Sequence, residues 1–252
     1  MSDHASRPPM GALSEAYHRV YDFICGQHPF QRPWHFQWLT ARGLHRALRR
    51  VLPTLRGAIV DVGCGHRPYR GWLDPEARYV GLDIEDSQAD PDILVAAGAP
   101  WPLESASVDA IVCTQVIEHV ADLDHMLGEM RRILRPGGIL VASVPFAYNE
   151  HGAPHDYRRI SVHGVRRLLA QGFEIVELSP VGAIGSTTGQ YFLNWVNTAL
   201  GGSPGLRLVK GLFLPMFVAL SGAVNAIAVG LDRLDRTAAF YANVLAVARR
   251  VE

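Results

Sequence analysis

Ala58-Ile59-Val60-Asp61-Val62-Gly63-Cys64-Gly65 is the stretch on which the reading of this chain turns. Ala58–Val62 is a short apolar run, which reads as a buried strand, and the two glycines after it mark a tight turn at the strand's carboxyl end. Glycine is suited to such a turn because a Cβ would collide with a ligand approaching the backbone. A dinucleotide fingerprint needs a third small residue three positions on, and Pro68 stands there, which argues against a nicotinamide or flavin site.

Outward from this turn, short apolar runs alternate with helical segments, the pattern of a doubly wound α/β sheet. Strands are expected at Ala58–Val62, Tyr79–Asp83, Asp92–Val95, Ala110–Thr114, Ile139–Val144, Phe173–Leu178 and Tyr241–Ala248. Helices are expected near Pro68–Leu73, Ala121–Leu134 and Ser161–Ala170. The second is halted by Arg135-Pro136-Gly137-Gly138, and Ser161 is placed to cap the third. The second expected strand ends in Gly81-Leu82-Asp83, so a carboxylate sits at the same sheet edge as the glycine turn. It is suited to accept hydrogen bonds from both hydroxyls of a ribose, although an acid there also serves as a helix cap or surface turn.

The 252 residues suit one large domain or two small ones. Basic and acidic residues balance at 24 each, which argues against a bulk nucleic-acid binder. Charged residues are 19% and hydrophobic ones 48%, so disorder is excluded and an apolar surplus must be housed somewhere. Cys25, Cys64 and Cys113 lack the spacing of a disulfide framework or a zinc site. The polar stretch Met1 to Met10 has no secretory pattern, and with the cysteines it leads to a cytoplasmic expectation.

Two segments lie outside the sheet pattern. Residues 1–56 carry eight arginines against Asp3, Glu15 and Asp22, an aromatic cluster, and a helix expected from about Thr40 to Leu52. Leu44, Leu48, Val51 and Leu52 form that helix's apolar face. Arg42, Arg46, Arg49 and Arg50 suit either solvent or an anionic surface. Residues 181–235 contain Gly211–Leu231, 21 residues without a charge but interrupted by Pro215, Ser221 and Asn225. A lid, a homodimer contact, an in-plane membrane segment and a span all remain open for it.

Five motifs in order make the chain resemble the class I S-adenosylmethionine-dependent methyltransferases, specifically the small-molecule group often called methyltransferase type 11. They are Asp61-Val62-Gly63-Cys64-Gly65, Gly81-Leu82-Asp83-Ile84, Trp101-Pro102-Leu103 before Ser107-Val108-Asp109, Gln115-Val116-Ile117-Glu118-His119-Val120, and Leu134-Arg135-Pro136-Gly137-Gly138. The resemblance implies a seven-stranded Rossmann-like sheet with an antiparallel last strand, formed by residues 57–180 and 236–252, and S-adenosyl-L-methionine as cofactor. It places Asp61, Gly63, Cys64 and Gly65 around the methionine part, Asp83 at the ribose and Gln115 near the reactive methyl group. His119 either faces the cofactor or packs. Where the family often has an acid at the adenine, this chain has Ala97, which leaves Gly98, Ala99, Ile84 and Trp101 to line that end. Arg67 and Tyr69 are within reach of the cofactor's carboxylate or the substrate.

The loop after the fifth strand opens at the ligand-binding edge and holds His151, His155, Asp156 and Tyr157. His151 or His155 suits a general base with Asp156 orienting the ring and Tyr157 lining the acceptor pocket. The same residues also suit loop structure and helix capping. No spaced metal-ligand set is apparent. The expected reaction is methyl transfer to a small or lipid-linked hydrophobic acceptor, at oxygen, with peripheral membrane contact at the inner face. The alternatives are carbon methylation of a quinone-like ring and a non-catalytic binding protein. A nucleic-acid substrate is disfavoured, since Thr114-Gln115-Val116-Ile117 replaces the Asp/Asn-Pro-Pro-Tyr/Phe element of such enzymes.

Overall fold

Strand β1 (Ala58–Val62) lies inside a seven-stranded sheet in the computed structural model, which describes residues 12–84 and 91–251. The polar stretch Met1 to Met10 lies outside the described residues. With β2 (Arg78–Ile84), β3 (Ile93–Val95), β4 (Val108–Thr114), β5 (Leu134–Pro145), β6 (Phe173–Val181) and β7 (Asn243–Arg250), the spatial order is β3-β2-β1-β4-β5-β7-β6. The first five are mutually parallel, and β7 runs antiparallel between β5 and β6. The order reverses at β1 and β4, so their carboxyl ends open a crevice there.

Both sheet faces are covered, which explains the unbroken apolar runs. On one face Val60, Leu82, Ile111, Leu140 and Ala246 pack with Met126, Met130 and Ile133 of α3 (Leu123–Ile133), joined by Val165 and Leu169 of α4 (Val162–Leu169). On the other, Leu44, Leu48 and Val51 of α2 (Trp38–Val51) cover Ile59, Val112, Val141 and Leu245. The arginines of α2 are thereby left at the outer side, as its periodicity predicts. Ser161 caps α4 by accepting the Gly164 N–H. The expected helix at Pro68–Leu73 is only a 3₁₀ turn, Arg70–Trp72. Pro68, Gly71 and Pro75 leave too short an uninterrupted stretch for an α-helix.

The charge-free run divides between two helices. It ends α6 (Pro204–Leu212), breaks at Phe213, and resumes as α7 (Leu214–Asp232), with Pro215 in the first turn where a missing N–H costs nothing. Helix α7 packs closely on α5 (Ile184–Ala199): a Cβ on Gly185 would lie 2.1 Å from the Ala228 carbonyl oxygen. Its polarity is inverted. Ser221 and Asn225 are buried, while Met216 and Ile227 are 65% and 64% exposed. Asn225 Nδ2 donates to the carbonyls of Pro33 and His35 at 2.7 and 3.0 Å, tying the insertion to the N-terminal segment. Tyr21 and Cys25 of α1 (Ala12–Cys25) pack with Leu214 and Phe217 at the same junction. Helix α5 also reaches the sheet edge, where Asn194 Nδ2 donates to Asn149 Oδ1 at 2.7 Å.

Candidate active site

Gly63 and Gly65 follow β1 with φ of +66° and +50°, the left-handed region that favours glycine. Their surroundings differ. A Cβ on Gly63 would meet Val116 Cγ2 at 2.4 Å, whereas one on Gly65 would meet nothing within 4 Å. Gly65 thus borders an open space at the strand ends. Asp83 closes one side of it: Oδ2 accepts the Gly65 N–H and Oδ1 the Ile84 N–H, each at 2.8 Å. Ile84 stands exposed beside it. Gly98 leaves a second open position. Ala99 is engaged with the protein, its N–H to Ala96 and its carbonyl to His125 Nε2. Trp101 is buried in the core, its N–H held by Glu129, rather than forming an open wall.

Asp61 lies beneath the turn. Burial pushes its pKa up to about 7, partly offset by the Tyr79 hydroxyl, which donates to Oδ2 at 2.8 Å. Folded Asp61 therefore keeps a proton that the unfolded carboxyl loses near pH 4. Its contribution to stability is greatest below about pH 4, declines as pH rises toward 7 and is constant above that. Urea unfolding should show the wild type losing stability relative to Asp61→Asn between about pH 4 and pH 7. A stability difference that does not change with pH would contradict this.

Cys64 is buried, and desolvation pushes its thiol up to about 12, so it packs and does not react as a nucleophile. Arg67 pairs with Asp92 at 3.1 Å. Tyr69 turns into the opposite core, against His45 and Trp72.

At the end of β4, Gln115 has φ +57°, and its Nε2 donates to Ser143 Oγ at 3.0 Å. The 3₁₀ turn Ile117–His119 follows. The loop after β5 is fastened to that turn. Tyr157 N–H donates to the Glu118 carbonyl, and Arg158 donates to those of Ile117 and Val120. Asp156 is this loop's internal brace: Arg159 grips both its oxygens, at 2.6 and 2.7 Å, and the His151 N–H donates to Oδ2 at 2.8 Å. The Arg159 guanidinium holds the Asp156 carboxyl far below the usual range. Asp156 Oδ2 lies 3.5 Å from His151 Nδ1, so it orients that ring loosely and the loop firmly. His155 is exposed and shares a 2.8 Å hydrogen bond with the Tyr157 hydroxyl.

His119 joins His151 in a T-shaped contact, ring centroids 4.8 Å apart, with Glu118 between them and the protein interior. Glu118 stands in a motif the sequence reading quotes, yet only the turn's geometry shows it pointing inward. It is fully buried, and desolvation raises its pKa to about 7.

A family model described as "Methyltransferase domain" matches residues 60–142, from β1 into β5 and across the glycine turn, Asp83 and Gln115. Residues 60–142 thus carry a methyltransferase domain, with the cofactor-side motifs of the class I S-adenosylmethionine-dependent methyltransferases. A Mycolicibacterium smegmatis protein described as a probable S-adenosylmethionine-dependent methyltransferase is 34% identical over 96 residues, covering 34% of this chain and 37% of its own length. Trans-aconitate 2-methyltransferase of Azoarcus is 32% identical over 127 residues, covering 43% of this chain and 47% of its own. The match to each spans less than half of that relative's length. Among solved structures, the cyclase SpnF has a TM-score of 0.53 at 19% identity, with 85% of this chain and 82% of that chain covered. That likeness concerns the fold alone.

The open space at Gly65, walled by Asp83 and Ile84, fits S-adenosylmethionine. Asp83 would hold the ribose, the Gly63–Gly65 turn the methionine part, and the residues around Gly98 the adenine.

Proposed function

We propose that this methyltransferase methylates an oxygen of a hydrophobic acceptor while lying on the inner face of an anionic membrane. S-adenosylmethionine supplies a methyl group already activated on a sulfonium. The chain's own task is then to align the acceptor, exclude water and receive the acceptor's proton. His151 and His155, carried by the loop that Asp156 and Arg159 brace, are the proton-accepting groups on the acceptor side. Asn149, joined to Asn194 of α5, links that loop to the apolar insertion and so to the acceptor's hydrophobic part. The step balances as a methyl bond formed at oxygen, the sulfonium–methyl bond broken, and the hydroxyl proton left on imidazole.

The single observation that carries the acceptor class is the inverted polarity of α7. Polar side chains turned inward and apolar ones outward leave Leu212, Phe213, Met216, Ile227 and Leu231 exposed, a surface that suits lipid rather than water. An 18-residue stretch of α7 has a mean hydropathy of 1.9. Charge supports the same surface: Arg42 of α2 lies within electrostatic reach of Arg46 and of Arg233 at the carboxyl end of α7, with Asp232 as an acid among them. Basic residues beside an apolar helix favour anionic headgroups.

The test is transfer of labelled methyl groups to a lipid extract and to a polar extract. Label in the lipid fraction, lost when His151 and His155 are both replaced by alanine, is the expected result. Undiminished labelling in the double variant would remove the base assignment and favour carbon methylation. No labelling with either extract, together with no cofactor binding, would favour a binding protein. Separately, Met216→Glu with Ile227→Glu should abolish sedimentation with phosphatidylglycerol vesicles while leaving cofactor affinity unchanged. Retained sedimentation would rule out α7 as the contact.

A further inference from the structure

Both carboxylate oxygens of Glu118 are buried, and no other described residue donates a hydrogen bond to either, its own backbone N–H and the more distant Arg159 charge being what favours its ionised form. A carboxylate so placed needs a counterpart, because burial removes its water without replacing it. Two imidazoles face it. His119 Nε2 lies 3.8 Å and His151 Nε2 4.0 Å from Glu118 Oε1, and the three ligand atoms all fall within 4.8 Å of one another. These separations are too long for direct hydrogen bonds. They exceed the roughly 3.0–3.6 Å between donors that share one ion through bonds of about 2.1 Å, by a few tenths of an ångström to about 1 Å, so the two rings must close toward Glu118 when an ion binds.

The opposite nitrogen of each ring is already engaged. His119 Nδ1 donates to the His155 carbonyl at 2.6 Å, and His151 Nδ1 faces the Asn149 carbonyl and Arg159 Nη2, each at 3.3 Å, and Asp156 Oδ2 at 3.5 Å. Holding Nδ1 on an oxygen is how proteins fix a histidine so that Nε2 offers its lone pair to a metal. The carbonyl that orients His119 belongs to the same loop that supplies His151, so one brace sets both rings.

We propose that Glu118, His119 and His151 bind a divalent first-row transition ion as a site of two histidines and one carboxylate. Two imidazoles favour zinc, iron or nickel over magnesium, calcium and manganese, and cobalt(II) serves as a spectroscopic probe of such a site. The inner side is closed by Glu118, while the His119 and His151 side chains are 29% and 36% exposed, which leaves coordination positions open toward the loop's outer side. In the reaction proposed above, an acceptor oxygen taking one of those positions would release its proton more readily, with His155 left as the group that takes the proton and His151 then serving as a ligand. That last step rests on the methyl-transfer reading, whereas metal binding does not.

Cobalt(II) titration of the full chain, without cofactor or acceptor, tests it. One equivalent should bind and give a visible ligand-field spectrum, which zinc removes. Glu118→Gln and His151→Ala should each weaken binding at least about tenfold. His163→Ala, on the exposed side of α4, should not. No cobalt spectrum, or a spectrum unaffected by either substitution, would overturn the proposal. If Glu118→Gln alters the circular dichroism, His151→Ala at its part-exposed position decides the result. Cofactor calorimetry on the same samples separates this outcome from a failure of the methyl-transfer reading.

Discussion

Asp83→Ala is expected to lower affinity for S-adenosylmethionine by about 100-fold. The carboxylate offers about four lone-pair directions. Two are taken by the N–H groups of Gly65 and Ile84, and the remainder are available to two ribose hydroxyls. Hydrogen bonds to a charged acceptor contribute about 1.5–3 kcal/mol each, and losing about 3 kcal/mol in total corresponds to roughly two orders of magnitude in affinity. Asp83→Asn keeps one acceptor oxygen and should fall between the two. Isothermal calorimetry measures both. An alanine variant within twofold of wild type would mean that Asp83 does no more than organise the turn.

The second large effect separates the two glycines. Gly63→Ala should lower unfolding free energy by about 2–5 kcal/mol. Left-handed backbone costs a non-glycine residue about 1–2 kcal/mol, and overpacking adds about 1–3. The added Cβ would lie 2.4 Å from Val116 Cγ2. Val116→Ala in the same chain should recover the packing part and leave the backbone part. Gly65→Ala carries a similar backbone cost, with φ of +50°, but meets no atom. Its stability loss should be the smaller, while its cofactor affinity falls because the new methyl group projects into the space the cofactor needs. Urea unfolding and calorimetry on the pair distinguish the roles, and equal destabilisation by both substitutions would refute the distinction.

The seven strands were legible because buried parallel strands are continuous apolar runs ending in turns, a signal contained within a few residues. Val108 and Leu134, which pair across a register shift between β4 and β5, fall outside the expected strands because a bulge breaks the pattern there. Helix α1 is absent from the sequence reading. Its aromatic residues gain a helical face only through the cluster they form with Leu214 and Phe217 of α7.

The site divides in the same way. Gly63, Gly65 and Asp83 could be read directly because the chemistry that holds a cofactor there is carried by backbone turns and one strand-end acid, all set locally. By itself, then, the sequence determined the sheet, the turn and the family of the chain. Tertiary structure alone decided two matters. One is the direction of α7: a charge-free run has no charged face to reveal, and Asn225 faces inward where the backbone carbonyls of residues 33 and 35 accept from it, while buried Ser221 donates to the Phe217 carbonyl of its own helix. The other is the convergence of Glu118 and His119 with His151. These residues lie on two separate connections, and the ladder between β4 and β5 with the Arg158 and Arg159 braces brings them within a few ångströms. Local periodicity cannot encode such a meeting, because it depends on which strand ends stand side by side.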